Sequence, residues 1–291
     1  MNSYYRTSLD KIRLDPDFGT ALDALERGFK KFQIDYYLVG AVSRNVWLSG
    51  INGISPRRTT GDVDFAVFIN DKGIYHQLKE YLVTTEGFRP YRENGFVLIW
   101  KDNTEIDLLP FGAIEDENRK VTIEGPGYTS VQVDGFKEVY EQQLPEIELD
   151  SNHRFKCCTL PGIVLLKLIA WDDRPEARRD DIKDIAEILD HFFDMNNEMI
   201  WTEYSDLFAV TPAFDDGREG LLLIASYVLG KEIKKITGDQ TPLYARLKEI
   251  ISKNAIDPFS SKMAQLMASH FDNSAEDVFH LIREIEKGFT E

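Results

Sequence analysis

The chain has 291 residues, 43% of them hydrophobic and 29% charged, which is typical of a globular protein large enough for a well-buried core and two domains. Its net charge of −16 argues against a protein that mainly binds a nucleic-acid backbone, because phosphate contacts need a basic surface. The same charge favours cationic or neutral partners. No apolar run approaches the roughly 18 residues of a membrane helix, and Met1 to Asp10 lacks the apolar core of a signal peptide, so we expect a cytoplasmic protein.

The first predicted helix covers Phe18 to Gln33, where apolar residues recur at steps of three and four. A short apolar strand follows at Tyr36 to Val39 and runs into Gly40-Ala41-Val42-Ser43-Arg44, after which the pattern is helical again. This strand–glycine–helix turn presents unpaired backbone N–H groups and the positive end of a helix dipole, which suits a phosphate; Ser43 adds a hydroxyl and Arg44 a charge. Taken alone, the segment is explained as well by a glycine that serves only the geometry of the turn.

Two carboxylates, Asp62 and Asp64, stand at the start of a strand predicted from Asp62 to Ile69 by its aromatic and β-branched residues. Strand side chains alternate between faces, so both point the same way, roughly 6.5 to 7 Å apart along the backbone. A pair of repelling carboxylates at this distance suits a hard divalent ion such as Mg²⁺. The alternative is that the pair is merely a solvated strand start. Asp15-Pro16-Asp17 is a similar isolated match, with a proline in the middle and no strand after it.

A third carboxylate is predicted to reach the same sheet. Phe96 to Lys101 and Thr104 to Leu109 are strand-like and are separated by Asp102-Asn103, a pair suited to a hairpin turn. In the second strand Ile106 and Leu108 share one face, and Glu105 and Asp107 share the other. Before these two strands we expect a helix over 74–83. After them we expect an irregular strand pair over 114–132 and a short helix over 135–142.

Neither the cysteines nor the histidines indicate a metal site. Cys157 and Cys158 are adjacent, so they cannot build a tetrahedral site or a useful cross-link. The five histidines, His76 and His153 among them, are scattered along the sequence, and none is assigned to a metal.

From Leu160 onwards the pattern is helical, and Ile163 to Trp171 is apolar enough to be buried almost all round. Lys167 in this segment must extend to solvent or meet an anion. Asp181 and Asp184, in the charged run that follows, are spaced to share one face of the next helix. We expect several further helices over 198–291, with a break over 210–219.

Several of these motifs, in the same order, resemble the nucleotidyltransferase superfamily with the polymerase-β-like fold. They are most similar to predicted bacterial nucleotidyltransferases related to the toxins of type IV toxin–antitoxin and abortive-infection systems. The likeness covers about the first two-thirds of the chain and rests on the segments Gly40-Ala41-Val42-Ser43-Arg44-Asn45, Arg58-Thr59-Thr60-Gly61-Asp62-Val63-Asp64-Phe65, Ile106-Asp107-Leu108-Leu109-Pro110-Phe111-Gly112, Leu165-Leu166-Lys167-Leu168-Ile169-Ala170-Trp171-Asp172-Asp173-Arg174 and Asp180-Asp181-Ile182-Lys183-Asp184-Ile185.

The resemblance implies an α+β fold, with a mixed sheet flanked by helices over residues 1–150 and a helical domain over 151–291 that closes the nucleotide site. It implies a Mg²⁺-dependent enzyme, with two ions, that moves a nucleoside monophosphate from an NTP to an unidentified acceptor hydroxyl, and an antitoxin protein as a partner. The implied metal-binding and catalytic residues are Asp62, Asp64 and Asp107. The implied nucleotide-binding residues are Gly40, Ala41, Ser43, Arg44, Lys167, Arg174, Asp181 and Asp184.

Two alternatives stay open at this point. The same site could move a γ-phosphate, as in a kinase-like phosphotransferase, which would release a nucleoside diphosphate rather than pyrophosphate. The chain could also be a non-catalytic nucleotide-binding or interaction module. Three intact carboxylates argue against the second alternative, because an inactive site has no need of charges that repel one another.

Overall fold

A computed structural model describes residues 4–58, 60–101, 103–210 and 217–291. The predicted turn at Asp102 and most of the predicted break over 210–219 lie outside these described residues, as does Thr59 of the motif before Asp62. Within the described residues, no helix is both long and apolar enough to cross a membrane.

The chain divides into two compact units, Met1–Thr159 and Leu160–Glu291. The sequence placed the division nine residues earlier, after residue 150. The difference arises from the strand His153–Cys157, which pairs with two strands of the first unit and therefore belongs to its sheet. Each unit is described separately below.

The first unit is built around a mixed sheet. Its strands are β1 (Tyr4–Thr7), β2 (Tyr36–Val39), β3 (Asp62–Phe68), β4 (Arg89–Pro90), β5 (Val97–Ile99), β6 (Glu105–Phe111), β7 (Lys120–Thr122), β8 (Ser130–Gln132), β9 (Glu146–Leu149) and β10 (His153–Cys157). Its helices are α1 (Leu9–Ile12), α2 (Phe18–Phe32), α3 (Gly40–Asn45), α4 (Lys72–Tyr81) and α5 (Phe136–Tyr140), and π-helical segments, Val46–Ile51 and Leu82–Glu86, continue α3 and α4.

Eight of these strands form one sheet in the order β1-β9-β10-β2-β3-β6-β5-β4, and β7 pairs with β8. β2 is antiparallel to β3 and parallel to β10, whereas β3 and β6 are parallel, so the expected mixed sheet with helices is confirmed. The predicted hairpin strands are also found, because β5 and β6 pair antiparallel.

The core of this unit follows from the apolar faces of α2 and β3. The α2 residues Leu22, Leu25 and Phe29 are buried, as the periodicity of the sequence predicts. Phe65 of β3 is also buried, and its ring centroid lies 6.4 Å from that of Phe29. This packing leaves the opposite face of β3, which carries Asp62 and Asp64, pointing away from α2.

The described part of the second unit consists of helices. They are α6 (Leu160–Asp173), α7 (Arg179–Met195), α8 (Asn197–Glu203), α9 (Leu207–Val210), α10 (Arg218–Thr237), α11 (Pro242–Asn254), α12 (Lys262–Phe271) and α13 (Ala275–Thr290). Helices α10 and α13 approach closely where Gly230 faces the backbone of Ile285 and Phe289.

Replacing Gly230 with alanine is expected to lower the free energy of unfolding by about 1–3 kcal/mol, the usual cost of overfilling a packed contact. A Cβ atom there would overlap the Ile285 carbonyl oxygen and lie 2.8 Å from the Phe289 nitrogen, and backbone atoms cannot move aside as a flexible side chain can. Urea unfolding measures the change.

Gly19→Ala in α2 is the matched control, since its Cβ would meet only ordinary contacts, the nearest at 3.6 Å. There the higher helix propensity of alanine should leave stability equal or raised by up to about 1 kcal/mol. Equal effects of the two substitutions would contradict close packing at Gly230.

Candidate active site

The glycine turn and the Asp pair meet at one end of the sheet. β2 ends at Val39, which lies opposite Asp64 of β3. The next residue, Gly40, has φ +68°, a conformation that favours glycine. A Cβ atom on Gly40 would overlap the Asp64 carboxylate, so glycine is required here both by the backbone and by the approach of Asp64.

The register of β3 and β6 brings the three predicted carboxylates together. Asp64 lies directly opposite Asp107, and Asp62 lies opposite Glu105. Neighbouring strands are about 4.8 Å apart and opposed residues share a face, so the carboxylates of Asp62, Asp64 and Asp107 project from one face of the sheet. Asp62 is exposed, whereas Asp64 and Asp107 are partly exposed.

Glu105 is a fourth carboxylate on this face, as the alternation of its strand predicts, and it has no predicted role in the site. It is exposed and stands next to Asp62 across the two strands. The signal was present in the alternation of β6, but its position beside Asp62 depends on the register of β3 with β6, which a single strand cannot show.

Local hydrogen bonds hold the strands that carry these carboxylates. The hydroxyl of Thr60 donates to Asp62. The hydroxyl of Tyr75, on α4, donates to the carbonyl oxygen of Leu108 at 2.8 Å, beside Asp107. Burial, together with the Asp107 charge, raises the pKa of Tyr75 well above its usual range, so this hydroxyl keeps its proton as a donor.

Ser43 and Arg44 are completely buried and bonded inside the first unit. The Ser43 hydroxyl lies 3.2 Å from both the Cys158 carbonyl oxygen and the Cys157 sulfur. The Arg44 guanidinium donates to Asn45 Oδ1 at 2.9 Å and to the Arg58 carbonyl oxygen at 3.0 Å. These contacts connect the turn after β2 to β10 and to the segment before Asp62. Contacts of the Ser43 and Arg44 side chains with a phosphate stay a prediction.

The second unit holds the other predicted residues. Lys167 of α6 is buried, and its Nζ atom lies 2.7 Å from Asp181 Oδ1 and 2.8 Å from Asp184 Oδ2 on α7. Burial lowers the pKa of Lys167, but the two carboxylates outweigh burial and the net shift is upward. The lysine therefore meets an anion rather than extending to solvent, and Asp181 and Asp184 share a helix face as predicted.

Within the described residues, Asp181 Oδ2 and Trp171 Nε1 are buried without a hydrogen-bond partner. The Oδ2 atom of Asp181 can therefore accept a hydrogen bond from a further donor. Arg174 lies in the connection after α6, where its carbonyl oxygen accepts hydrogen bonds from the backbone of Ala177 and Arg178. Nucleotide binding by this set stays a prediction.

No protein-family model and no curated protein matches the sequence. The structure is similar to a nucleotidyltransferase-like protein from Paracoccidioides brasiliensis, with 15% identity over 74% of this chain and 94% of that chain and a TM-score of 0.40. It is also similar to the antibiotic-resistance factor ANT(2'')-Ia, with 13% identity, 56% and 77% coverage and a TM-score of 0.32. A third similar structure is the Thermotoga maritima CCA-adding enzyme complexed with tRNA, with 13% identity, 97% and 84% coverage and a TM-score of 0.26.

Proposed function

We propose that the protein is a Mg²⁺-dependent nucleotidyltransferase with a polymerase-β-like fold, which moves a nucleoside monophosphate from an NTP to an acceptor hydroxyl. The observation that supports this most strongly is the register that sets Asp64 opposite Asp107, with Asp62 on the same face. The contact between Gly40 and Asp64 joins that face to the turn that suits a phosphate.

The donor set suits magnesium. Asp62, Asp64 and Asp107 offer carboxylate oxygens on one partly exposed face, and Mg²⁺ prefers oxygen ligands and keeps several waters. These three side chains would hold the two ions that the motifs imply. Bound there, Mg²⁺ would neutralise charge on the triphosphate and on the leaving pyrophosphate.

The residues of the chain then have distinct tasks. We propose that Asp107, on β6, accepts the proton of the acceptor hydroxyl. The freed oxygen attacks the α-phosphorus and forms a new P–O bond, the bond from the α-phosphorus to the β-phosphate oxygen breaks, and pyrophosphate leaves. Backbone N–H groups of the Gly40–Ala41 turn bind the triphosphate, and Arg44 and Ser43 keep that turn in place.

An assay with Mg²⁺, each labelled NTP and a whole-cell lysate tests the proposal. Label from the α-phosphate on a lysate component, with pyrophosphate released, is the expected result. Transfer of the γ-phosphate with release of a nucleoside diphosphate would replace the proposal by a kinase-like phosphotransferase. Mg²⁺-independent nucleotide binding without any transfer would favour a non-catalytic module.

A role as a toxin with an antitoxin protein as its partner is a further part of this proposal, and it is supported by the likeness of the motifs alone. Induced expression of the wild-type chain in a bacterial host should then arrest growth, while Asp64→Ala should not. Equal growth with both chains would remove the toxin role and leave the chemistry unaffected.

Asp107→Asn is expected to lower the rate of transfer by about 10²–10⁴-fold, the usual contribution of a general base. The affinity for Mg²⁺·NTP should fall much less, because we place Asp107 on the acceptor side, where it acts in the transition state. Rapid-quench rates and a Mg²⁺·NTP titration measure the two effects.

Glu105→Gln is the control, since Glu105 lies on the same strand and the same face as Asp107. We expect it to transfer at close to the wild-type rate. An affinity loss in Asp107→Asn that matches its rate loss would show that Asp107 is only another ligand of the nucleotide-bound ion.

A further inference from the structure

A second group of metal-ligating side chains lies in the first unit, between α2 and β10. Asp23, Glu26 and His153 each offer one ligand atom, and these atoms all lie within 4.8 Å of one another. His153 Nδ1 is 3.2 Å from Glu26 Oε1 and 4.0 Å from Asp23 Oδ1. The sequence alone does not indicate this group, because the histidine is 127 residues away from Glu26 along the chain.

The surroundings of the three side chains favour a bound cation. The His153 side chain is only 6% exposed, and its Nδ1 atom points to both carboxylates. One imidazole nitrogen and two carboxylate oxygens at this spacing form a ligand set that a divalent ion can occupy.

The donor set distinguishes this group from the Asp62 face. One imidazole nitrogen and two carboxylate oxygens suit a borderline ion such as Zn²⁺, which commonly takes three protein ligands and a water. The all-carboxylate face suits Mg²⁺.

The His153 group and the Asp62 face also lie near opposite ends of the central strands, along the strand direction. β10 runs parallel to β2 with Cys157 next to Leu38, so His153 lies four residues, roughly 13 Å, before that level. Asp64 lies opposite Val39, the residue after Leu38, and is therefore on the other side of that level from His153. An ion at His153 therefore would not contact the groups to which we assign the transfer reaction.

We infer that Asp23, Glu26 and His153 form a site for one Zn²⁺ ion, or for a borderline divalent ion with the same ligand preference, that links α2 to β10. Asp23 and Glu26 are spaced three apart on α2, so they present their oxygens from one helix face. The transferase chemistry does not depend on this site, and either proposal can fail alone.

Titration calorimetry of chelator-treated full-length protein with Zn²⁺, in excess Mg²⁺ to occupy the Asp62 face, tests the inference. We expect one Zn²⁺ per chain and a rise in the midpoint of thermal unfolding. Asp23→Asn should weaken Zn²⁺ binding by more than about tenfold, since even side chains that only orient metal ligands cost about that much when changed. His153→Gln should abolish binding.

Asp17→Asn is the matched control, because it removes the same charge next to the same helix from an exposed residue. Asp23 is 58% exposed, so Asp23→Asn will fold even if His153→Gln does not, and it decides the question by itself. The inference is overturned by a wild-type chain that binds no Zn²⁺, or by Asp23→Asn binding Zn²⁺ as tightly as Asp17→Asn does.

Discussion

Asp64→Ala is expected to lower nucleotidyl transfer by roughly 10³-fold or more, beyond the loss seen when a single stabilising hydrogen-bond donor is removed from an active site. Asp64 has Asp62 on its own strand, Asp107 opposite and Gly40 against its carboxylate, so it is central to the proposed Mg²⁺ site. Asp62→Ala should have a similar effect. Transfer of label from an NTP under Mg²⁺ saturation measures both losses.

Asp62→Ala should leave the free energy of unfolding of the metal-free protein unchanged or slightly higher, because Asp62 is exposed. Without a cation, the carboxylates on this face repel one another, and removing one relieves part of that repulsion. Asp17→Ala, in the other Asp-x-Asp segment, should affect neither activity nor stability, because Asp17 is exposed and makes no side-chain hydrogen bond at the α2 N-terminus.

An Asp64→Ala variant with near-normal transfer would refute the catalytic assignment. Loss of folding in both Asp62→Ala and Asp64→Ala would instead show that the two carboxylates stabilise the first unit. Circular dichroism and urea unfolding in the presence of a chelator separate these outcomes.

Lys167→Met is expected to destabilise the protein by about 3–5 kcal/mol, because it leaves Asp181 and Asp184 buried without their counter-charge. Both ion pairs are shorter than 3 Å, and the lysine and the two carboxylates are buried. Urea unfolding at neutral pH measures the loss.

Lys183→Met provides the comparison, since Lys183 pairs with Asp180 at 2.9 Å, but both side chains are about half exposed. An exposed pair of this kind contributes at most about 1 kcal/mol. Equal losses in the two variants would show that Lys167 is not held by a buried ion pair. Restored stability in Lys167→Met combined with Asp181→Asn and Asp184→Asn would support the pairing directly.

The contribution of Lys167 should also depend on pH in a defined direction. Its pKa is raised in the folded protein, so the stabilisation is complete below the pKa of an unfolded lysine, about 10.4. It is lost as the pH rises through the folded-state pKa. The difference in stability between wild type and Lys167→Met should therefore be constant from neutral pH to about pH 10 and shrink above it.

The local features of this protein follow from its sequence because they depend on repeats that a single segment contains. The two-residue alternation of β3 places Asp62 and Asp64 on one face, opposite the buried Val63 and Phe65, as the structure shows. The steps of three and four in α2 identify its buried face in the same way. Likewise, the apolar residues around Lys167 indicated that its ammonium group must either reach solvent or pair with an anion.

The partners of these side chains were decided by the tertiary structure. A slip of one residue between β3 and β6 would turn Asp107 to the other face, and no property of either strand alone excludes that slip. The strands β9 and β10 do alternate apolar with charged residues, but it is their pairing within the sheet that moves the division between the units to Thr159. His153 meets Asp23 and Glu26 only because β10 packs beside α2. A sequence specifies which face a side chain occupies within its own element, but its neighbours across elements depend on register and packing, which involve residues far apart in the chain.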